Sequence, residues 1–330
     1  MGSDAHVIVV GGAAGLVDRA RDRIDELEGR WSRFRPDSEI SRLNDQPGRP
    51  VVVSDDTVVL VERAVAAWRL SGGAFDPTVL GPLVRAGYDR SFDELGDRPT
   101  PGHSLLGIGA ADIGIDGSAV TLPVGTGFDP GGIGKGLAAD LVVADLLAAG
   151  AEGACVNLGG DVRVAGVGPA QDAGSGDDAV APWTIGVWHP DLAAPLVRLG
   201  LADGAVATST TRLRRWTIEG RPQHHLIDPR SGRPSDTDLE LATVVASEAW
   251  VAEVLAKSVI LRGSAHPFDV VDGTAAEAMA VDRTGRVQAT AGLAAFLGPQ
   301  LLSGRVDLSG FAAPVPVGSA SGVASSGAGR

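Results

Sequence analysis

The sequence predicts an α+β fold with mixed, mainly antiparallel sheets and flanking helices. Short alternating runs turn at Asp116-Gly117 and Thr284-Gly285, the signature of hairpins. A few long segments carry helical periodicity, but they do not alternate regularly with strands as a doubly wound parallel sheet requires. No internal repeat is evident.

"HVIVVG" reads as a first strand, and an amphipathic helix over residues 13–30 follows it. Ala13, Leu16, Val17, Ala20, Ile24 and Leu27 share one face, with Arg and Asp opposite. Gly29 and Trp31 close that helix. "SRFRPDSEISRLN" reads as a loop with a short helix capped by Asp37 or Ser38. "DTVVLVERAVAAWRLSGG" is a second helix, capped by Ser54 or Asp55 and closed by Gly72-Gly73. "LLGIGAADIGIDGSAVTLP" is a hairpin, and a helix over residues 135–150 comes next. "GACVNLGGDVRVAGVG" turns at Gly159-Gly160-Asp161, and residues 170–181 form a polar connection expected to be mobile. "WTIGVWHP" and "LVRLGLADGAVATST" continue the β pattern. "SEAWVAEVLAKSVILRG" is helical, and "AEAMAVDRTGRVQAT" is the last hairpin.

With 330 residues, hydrophobic content of 44% and charged content of 21%, the chain has the composition of a soluble globular protein with a substantial core. A net charge of −13 argues against nucleic acid or an anionic membrane as partner, so any anionic ligand needs a local set of donors. Cys155 is the only cysteine and sits in a buried-strand pattern, which excludes an intrachain disulfide and suggests an inert thiol. No apolar run reaches the roughly 18 residues of a membrane helix. The opening "MGSDAHVIVVGG" lacks the basic start of a signal peptide, so a cytoplasmic protein is expected. Residues 1–310 are expected to form a single domain, and the Gly/Ser-rich residues 311–330 a disordered tail.

The run "TGFDPGGIGKGLAADLVV" crowds glycines around one lysine. It is not a Walker P-loop, because Gly136 follows Gly134-Lys135 and Asp129 stands where the first glycine belongs. A dinucleotide fingerprint on Gly134, Gly136 and Ala139 is a weak match without an early βαβ unit. A glycine-rich turn into a helix N-terminus remains, which is either an anion site or a tight packing connection. "RPQHHLIDPRSGRP" gathers His224, His225, Asp228 and Arg230. They are candidates for base, orienter and phosphate ligand, or they make a type I turn with surface histidines. "ATSTTRLRRW" is either a phosphate-facing strand or a solvated edge, and "GGAFDPTVLGPLV" carries turn chemistry at Asp76-Pro77. Glu253 and Lys257, four apart on a helix, share a face and can pair.

Taken together and in order, "WSRFRPDSEISRLN", "GGAFDPTVLGPLV", "FDPGGIGKGLAADLV", "VNLGGDV", "VATST" and "HHLIDPRSGRP" resemble the successive motifs of the flavin transferase family, the ApbE-like proteins formerly called thiamine biosynthesis lipoproteins. The resemblance covers roughly residues 1–300. It implies a two-lobed, T-fold-like architecture that binds FAD in a cleft between lobes. It also implies FAD:protein FMN transferase activity: transfer of FMN from FAD to a Thr or Ser hydroxyl of an acceptor flavoprotein, with release of AMP. Some members instead hydrolyse FAD.

By the same resemblance, Gly131, Gly132 and Gly134 would approach the pyrophosphate, Lys135 would add charge and Asp140 would lie at the flavin end. Met1 and Phe34 match positions near the isoalloxazine ring, and Gly73, Ala74 and Phe75 border the adenosine or flavin. Thr208 and Ser209 match a hydroxyl pair. His225 is the candidate for deprotonating the acceptor, with Asp228 orienting its segment. The family's Mg²⁺ is held by an Asp and a Thr one helical turn apart and by a backbone carbonyl, the place of Gly132.

Here the chain departs from the family, because the Asp and Thr positions read Glu253 and Lys257. A protonated lysine is a donor only and ligates no metal. Two readings stay open. Either Lys257 replaces the cation with Glu253 holding it toward the pyrophosphate, or Glu253 and backbone oxygens still bind a metal with Lys257 turned aside. Weak or absent transfer with FAD binding alone, or FAD hydrolysis, is the functional alternative. Thr210 stands where the family has glycine, beside Arg212, Arg214 and Arg215. Many relatives carry a lipoprotein signal before the first strand, so a membrane-anchored, extracytoplasmic form that has been trimmed is the alternative to a cytoplasmic one.

Overall fold

A computed structural model describes residues 3–95, 109–169, 182–218 and 220–297. The first half of the chain contains β1 (Ala5–Val10), α1 (Leu16–Trp31), α2 (Glu39–Asn44), β2 (Val51–Val52), α3 (Asp55–Leu70), α4 (Leu80–Arg85), β3 (Gly114–Asp116), β4 (Ala119–Thr121) and α5 (Gly134–Ala148). Strands then dominate: β5 (Gly153–Leu158), β6 (Asp161–Gly166), β7 (Trp183–Val187), β8 (Val197–Leu201), β9 (Gly204–Thr210), β10 (Arg215–Ile218) and β11 (Arg221–His224). The described chain closes with β12 (Ile227–Asp228), β13 (Arg233–Pro234), β14 (Leu239–Ala246), α6 (Ala249–Arg262), β15 (Glu277–Asp282) and β16 (Val287–Ala289). Met1, residues 170–181 and the Gly/Ser-rich tail lie outside the described residues.

One seven-stranded sheet, in the order β1-β5-β6-β9-β14-β15-β16, organises the molecule, and each neighbouring pair is antiparallel. The sheet is open, with β1 and β16 at its edges. Its two faces differ in side-chain size because residues alternate with period two. Toward the helices it presents mostly alanine: Ala154, Ala165, Ala205, Ala207, Ala242, Ala278 and Ala280. Toward the other face it presents Val162, Val164, Val206, Leu241, Val245, Met279 and Val281, which pack with Trp183, Val187 and Leu199 of the β7–β8 hairpin.

The alanine face lets helices come close. Helices α5 and α6 are apolar around most of their circumference, so they belong between two layers and not on a surface. They lie against β5, β6, β9 and β14 and against each other, with α1 packed on the outside of α5. Helix α1 is amphipathic and buries Leu16, Ala20, Ile24, Leu27 and Trp31. It starts three residues later than its periodicity predicts, where Gly15 takes a left-handed conformation (φ 92°). Ser38 caps α2 by accepting from the Ser41 N–H at 3.0 Å. Both hairpins seen in the sequence form, with Gly117 and Gly285 in the left-handed region that their turns require. Strand β9 lies between β6 and β14, but it pairs with β6 only over Gly204–Val206, and Ala207–Thr210, which open "ATSTTRLRRW", pair with β14 alone. No helix among the described residues is long and apolar enough to cross a membrane.

The closest approach of α5 to α6 is at Gly136. A Cβ there would stand 2.4 Å from the Ala249 carbonyl oxygen and 2.7 Å from the Trp250 nitrogen, both backbone atoms. Helix propensity alone would favour Gly136→Ala by about 1 kcal/mol, whereas overpacking costs about 1–3 kcal/mol. No rotamer relieves a backbone clash, so the substitution is expected to destabilise the protein by about 1–2 kcal/mol in urea unfolding. An unchanged or raised midpoint would contradict this packing.

Candidate functional site

The glycine-rich connection into α5 forms the floor of a cleft with two adjoining compartments, which share Gly131, Lys135, Arg214, His225 and Lys257. The first has an aromatic end made by Trp31, Phe34 and Tyr88. The second is polar, lined by Asp161, Thr208, Ser209, Thr210 and Glu253.

Lys135 occupies the first turn of α5, and its buried ammonium is clamped by two acids. It donates to Asp161, at the start of β6, and to Glu253 Oε1, on α6, the latter at 2.5 Å. Burial works against its charge, but the two carboxylates more than offset this and hold the ammonium above its ordinary value. Burial pushes Asp161 up to about 7 against the pull of Lys135, with Glu253 adding to the push. The second oxygen of Glu253 accepts the Gly136 N–H at 2.8 Å, an otherwise unpaired donor of the helix N-terminus.

Glu253 therefore does not hold Lys257, and the pairing that their four-residue spacing suggested is replaced by the one to Lys135. Lys257 is buried on α6 with its Nζ 5.6 Å from the centre of the Phe75 ring. It makes no ion pair or hydrogen bond with a described residue. Burial lowers its affinity for a proton, while Asp129 and Glu253 act in the opposite sense. Gly132 faces it: a Cβ at that position would meet Lys257 Nζ at 3.0 Å.

His225 follows β11 and lines both compartments. Its Nδ1 is buried without a partner, and burial, reinforced by Arg214 and Lys257, holds its proton affinity well below the ordinary histidine value. Burial thus favours the neutral imidazole, and with Nδ1 sealed off without a partner, Nε2 is the nitrogen open to the cleft. His224 is bound elsewhere, its Nε2 lying 2.9 Å from the Ser235 carbonyl oxygen and its Nδ1 accepting the Leu226 N–H at 3.2 Å. Arg214, with φ of 49°, is the one non-glycine described residue with positive φ, and it lies over both compartments. Such strain is retained where surrounding contacts over-determine it.

Phe34 is 40% exposed at the aromatic end, 5.7 Å from the Tyr88 ring centre. The Arg33 guanidinium stacks over both rings, at 4.1 Å and 4.6 Å, and its Nε pairs with Asp129 at 3.3 Å. Thr208 and Ser209 line the polar compartment, where the Thr208 hydroxyl is 2.9 Å from that of Thr243. Thr210 anchors the following loop instead, donating to the Glu240 carbonyl at 2.7 Å and accepting the Arg212 N–H.

Four of the expected site residues, Asp140, Gly73, Ala74 and Asp228, stand apart from the cleft. Asp140 does not reach it, because its carboxylate accepts the N–H groups of Ala249 and Trp250 at 2.8 and 3.0 Å and so caps α6. Burial raises this carboxyl to about 6. Gly73 and Ala74 line a small separate pocket with Asp228 and Arg230. Asp228 organises the turn it begins, accepting the Arg230 N–H at 3.0 Å and, through its carbonyl, the Gly232 N–H at 2.8 Å. Phe75 is buried beneath Lys257. Met1 lies outside the described residues. Sequence reasoning passed over Asp161, Arg33, Asp129 and Tyr88. Asp161 and Asp129 were visible only as turn residues beside glycines, and nothing local marks Tyr88.

The cleft of this α+β protein thus joins an aromatic end, a lysine-lined floor and a buried histidine. The chain belongs to the ApbE family, whose model matches residues 1–281. It is 31% identical to the FAD:protein FMN transferase of Treponema pallidum, over 69% of this chain and 66% of that one. It is 30% identical to the Klebsiella pneumoniae protein of the same name, over 72% and 73%. The crystal structure of the ApbE protein from Thermotoga maritima superimposes with a TM-score of 0.78 at 25% identity, covering 90% of this chain and 96% of that one.

The Lys135 clamp has a measurable consequence. Removing the ammonium leaves two buried carboxylates facing each other, and breaking a buried pair in this way costs about 3–5 kcal/mol. Lys135→Met is expected to lose stability of that size in urea unfolding, and a neutral result would show that the clamp is not made in solution.

Proposed function

We propose that the protein is a FAD:protein FMN transferase: FAD is its substrate, and the acceptor is a Thr or Ser hydroxyl of a partner flavoprotein. The observation that carries this reading is the neutral His225 at the junction of an aromatic compartment and a lysine-floored polar one. The family match and the names of the relatives support it.

In this reading the isoalloxazine ring enters the aromatic compartment beside Phe34 and Tyr88, packing on apolar surface that Arg33 leaves uncovered. The pyrophosphate crosses Gly131 and Gly132, whose lack of side chains permits close backbone approach. Lys257 and Arg214 supply the nearby positive charge, since Lys135 is committed to its acids. The acceptor hydroxyl attacks the FMN-side phosphorus in line with the departing AMP. A P–O bond to the acceptor forms, the P–O bond to AMP breaks, and the hydroxyl proton passes to His225 Nε2. Holding the reacting groups in line and placing the charge beforehand supply most of the acceleration in phosphoryl transfer.

Incubation with FAD and a Thr-bearing acceptor, followed by in-gel flavin fluorescence and chromatography of AMP, tests the reading. Equal labelling and AMP release are expected, whereas AMP without label would make the protein a hydrolase. His225→Gln is expected to slow transfer by about 10²–10⁴-fold, the usual worth of a positioned base, while FAD affinity is retained. The wild-type acid limb should fall below the ordinary histidine value of 6.5, because burial and the neighbouring cations keep His225 unprotonated there. An acid limb above 6.5 would assign the base to another group.

A further inference from the structure

The Mg²⁺ that the family resemblance implies does not fit the donors present in this chain. Both oxygens of Glu253 are engaged, one by Lys135 at 2.5 Å and the other by the Gly136 N–H at 2.8 Å. Asp161 is turned onto the same ammonium. Lys257 stands where a hydroxyl ligand would be needed and offers donors only. Its Nζ also fills the space in front of Gly132, the residue whose backbone was to complete the coordination.

Charge leads to the same conclusion. Asp161 and Glu253 meet on the Lys135 ammonium, and Lys257 brings a second ammonium near Glu253 and Asp129. A threonine at 257 would add no charge there, whereas lysine adds a positive one that weakens any pull on a dication. It also places at the cleft an ammonium that no described carboxylate meets at contact distance, so its donors are open to an anionic ligand.

We infer that Lys257 is a built-in counter-cation that makes pyrophosphate binding in this cleft independent of a divalent metal. The inference rests on the FAD reading above. The division of labour is sharper than a simple exchange of lysine for magnesium. Lys135 is held by Asp161 and Glu253 and fixes the framework, while Lys257, seated on Phe75, carries the charge offered to the ligand. Its seat also fixes its position, because Gly132 has no side chain to push it aside.

The test is FAD affinity, measured by quenching of flavin fluorescence in EDTA and again in Mg²⁺, together with Mn²⁺ binding followed by electron paramagnetic resonance. Wild-type protein is expected to bind FAD equally in both buffers and to retain no Mn²⁺. Lys257→Thr should lose about tenfold or more in EDTA, the worth of one charge-assisted hydrogen bond. Mg²⁺ should not restore that affinity, because both Glu253 oxygens stay committed to Lys135 and the Gly136 N–H. Lys257→Met keeps the length of the side chain and should lose the same affinity in both buffers, while circular dichroism reports whether each variant folds. FAD binding by the wild type that requires Mg²⁺, or stoichiometric Mn²⁺ binding, overturns the inference while leaving the transferase reading intact. Unchanged affinity of folded Lys257→Met in EDTA overturns it equally. No FAD binding in either buffer removes the transferase reading, and the inference with it.

Discussion

The ammonium of Lys135 between Asp161 and Glu253 is the interaction on which the other features of the cleft depend. It joins the turn before β6, the first turn of α5 and the buried face of α6 at one point. A lysine at the start of a helix can reach both acids only if α5 lies directly on α6 and on the sheet. The residues between them are accordingly small: alanines on the sheet face and Gly136 at the helix crossing. The same carboxylate that takes Lys135 takes the Gly136 N–H, so one side chain on α6 both satisfies a helix terminus and fixes a charge. Asp140 repeats the device in the other direction, satisfying the N-terminus of α6 from α5. The two helices cap one another, and the glycine-rich connection is held open in front of them.

The clamp also decides what the cleft can offer a ligand. With Lys135 spent on its two acids, the remaining positive charge comes from Lys257 and Arg214, and His225 is kept neutral by burial beside them. A cation next to a histidine lowers its proton affinity. The cations proposed to neutralise a phosphate thus also lower the proton affinity of His225, the proposed base. At the other end, Arg33 is turned onto aromatic rings and Asp129, so that compartment presents flat surface more than charge.

Much of this was legible in the sequence. Hairpin signals, the amphipathic α1 and the glycine turn into α5 fall where composition and periodicity place them, and the six ordered motifs identify the family. Partner choice inside the core was not legible. The spacing of Glu253 and Lys257 puts both on one face of α6, but spacing along a helix says nothing of what a neighbouring helix brings to that face. Asp140 is five residues beyond Lys135, about 140° further round α5, and so it points to α6 and not into the cleft. Asp161 looked like a turn residue because it follows Gly159-Gly160, but it opens β6, and its contact depends on a lysine 26 positions earlier in the chain.

The central claim is that the chain's own lysine sits where the ligand's phosphates need a cation. A crystal structure of the FAD complex grown in Mn²⁺, with anomalous differences collected at the manganese edge, tests it most directly. The account predicts Lys257 Nζ within hydrogen-bonding distance of a pyrophosphate oxygen and no anomalous peak between Glu253 and Gly132. A manganese peak at that position, with Lys257 displaced from it, would contradict the account.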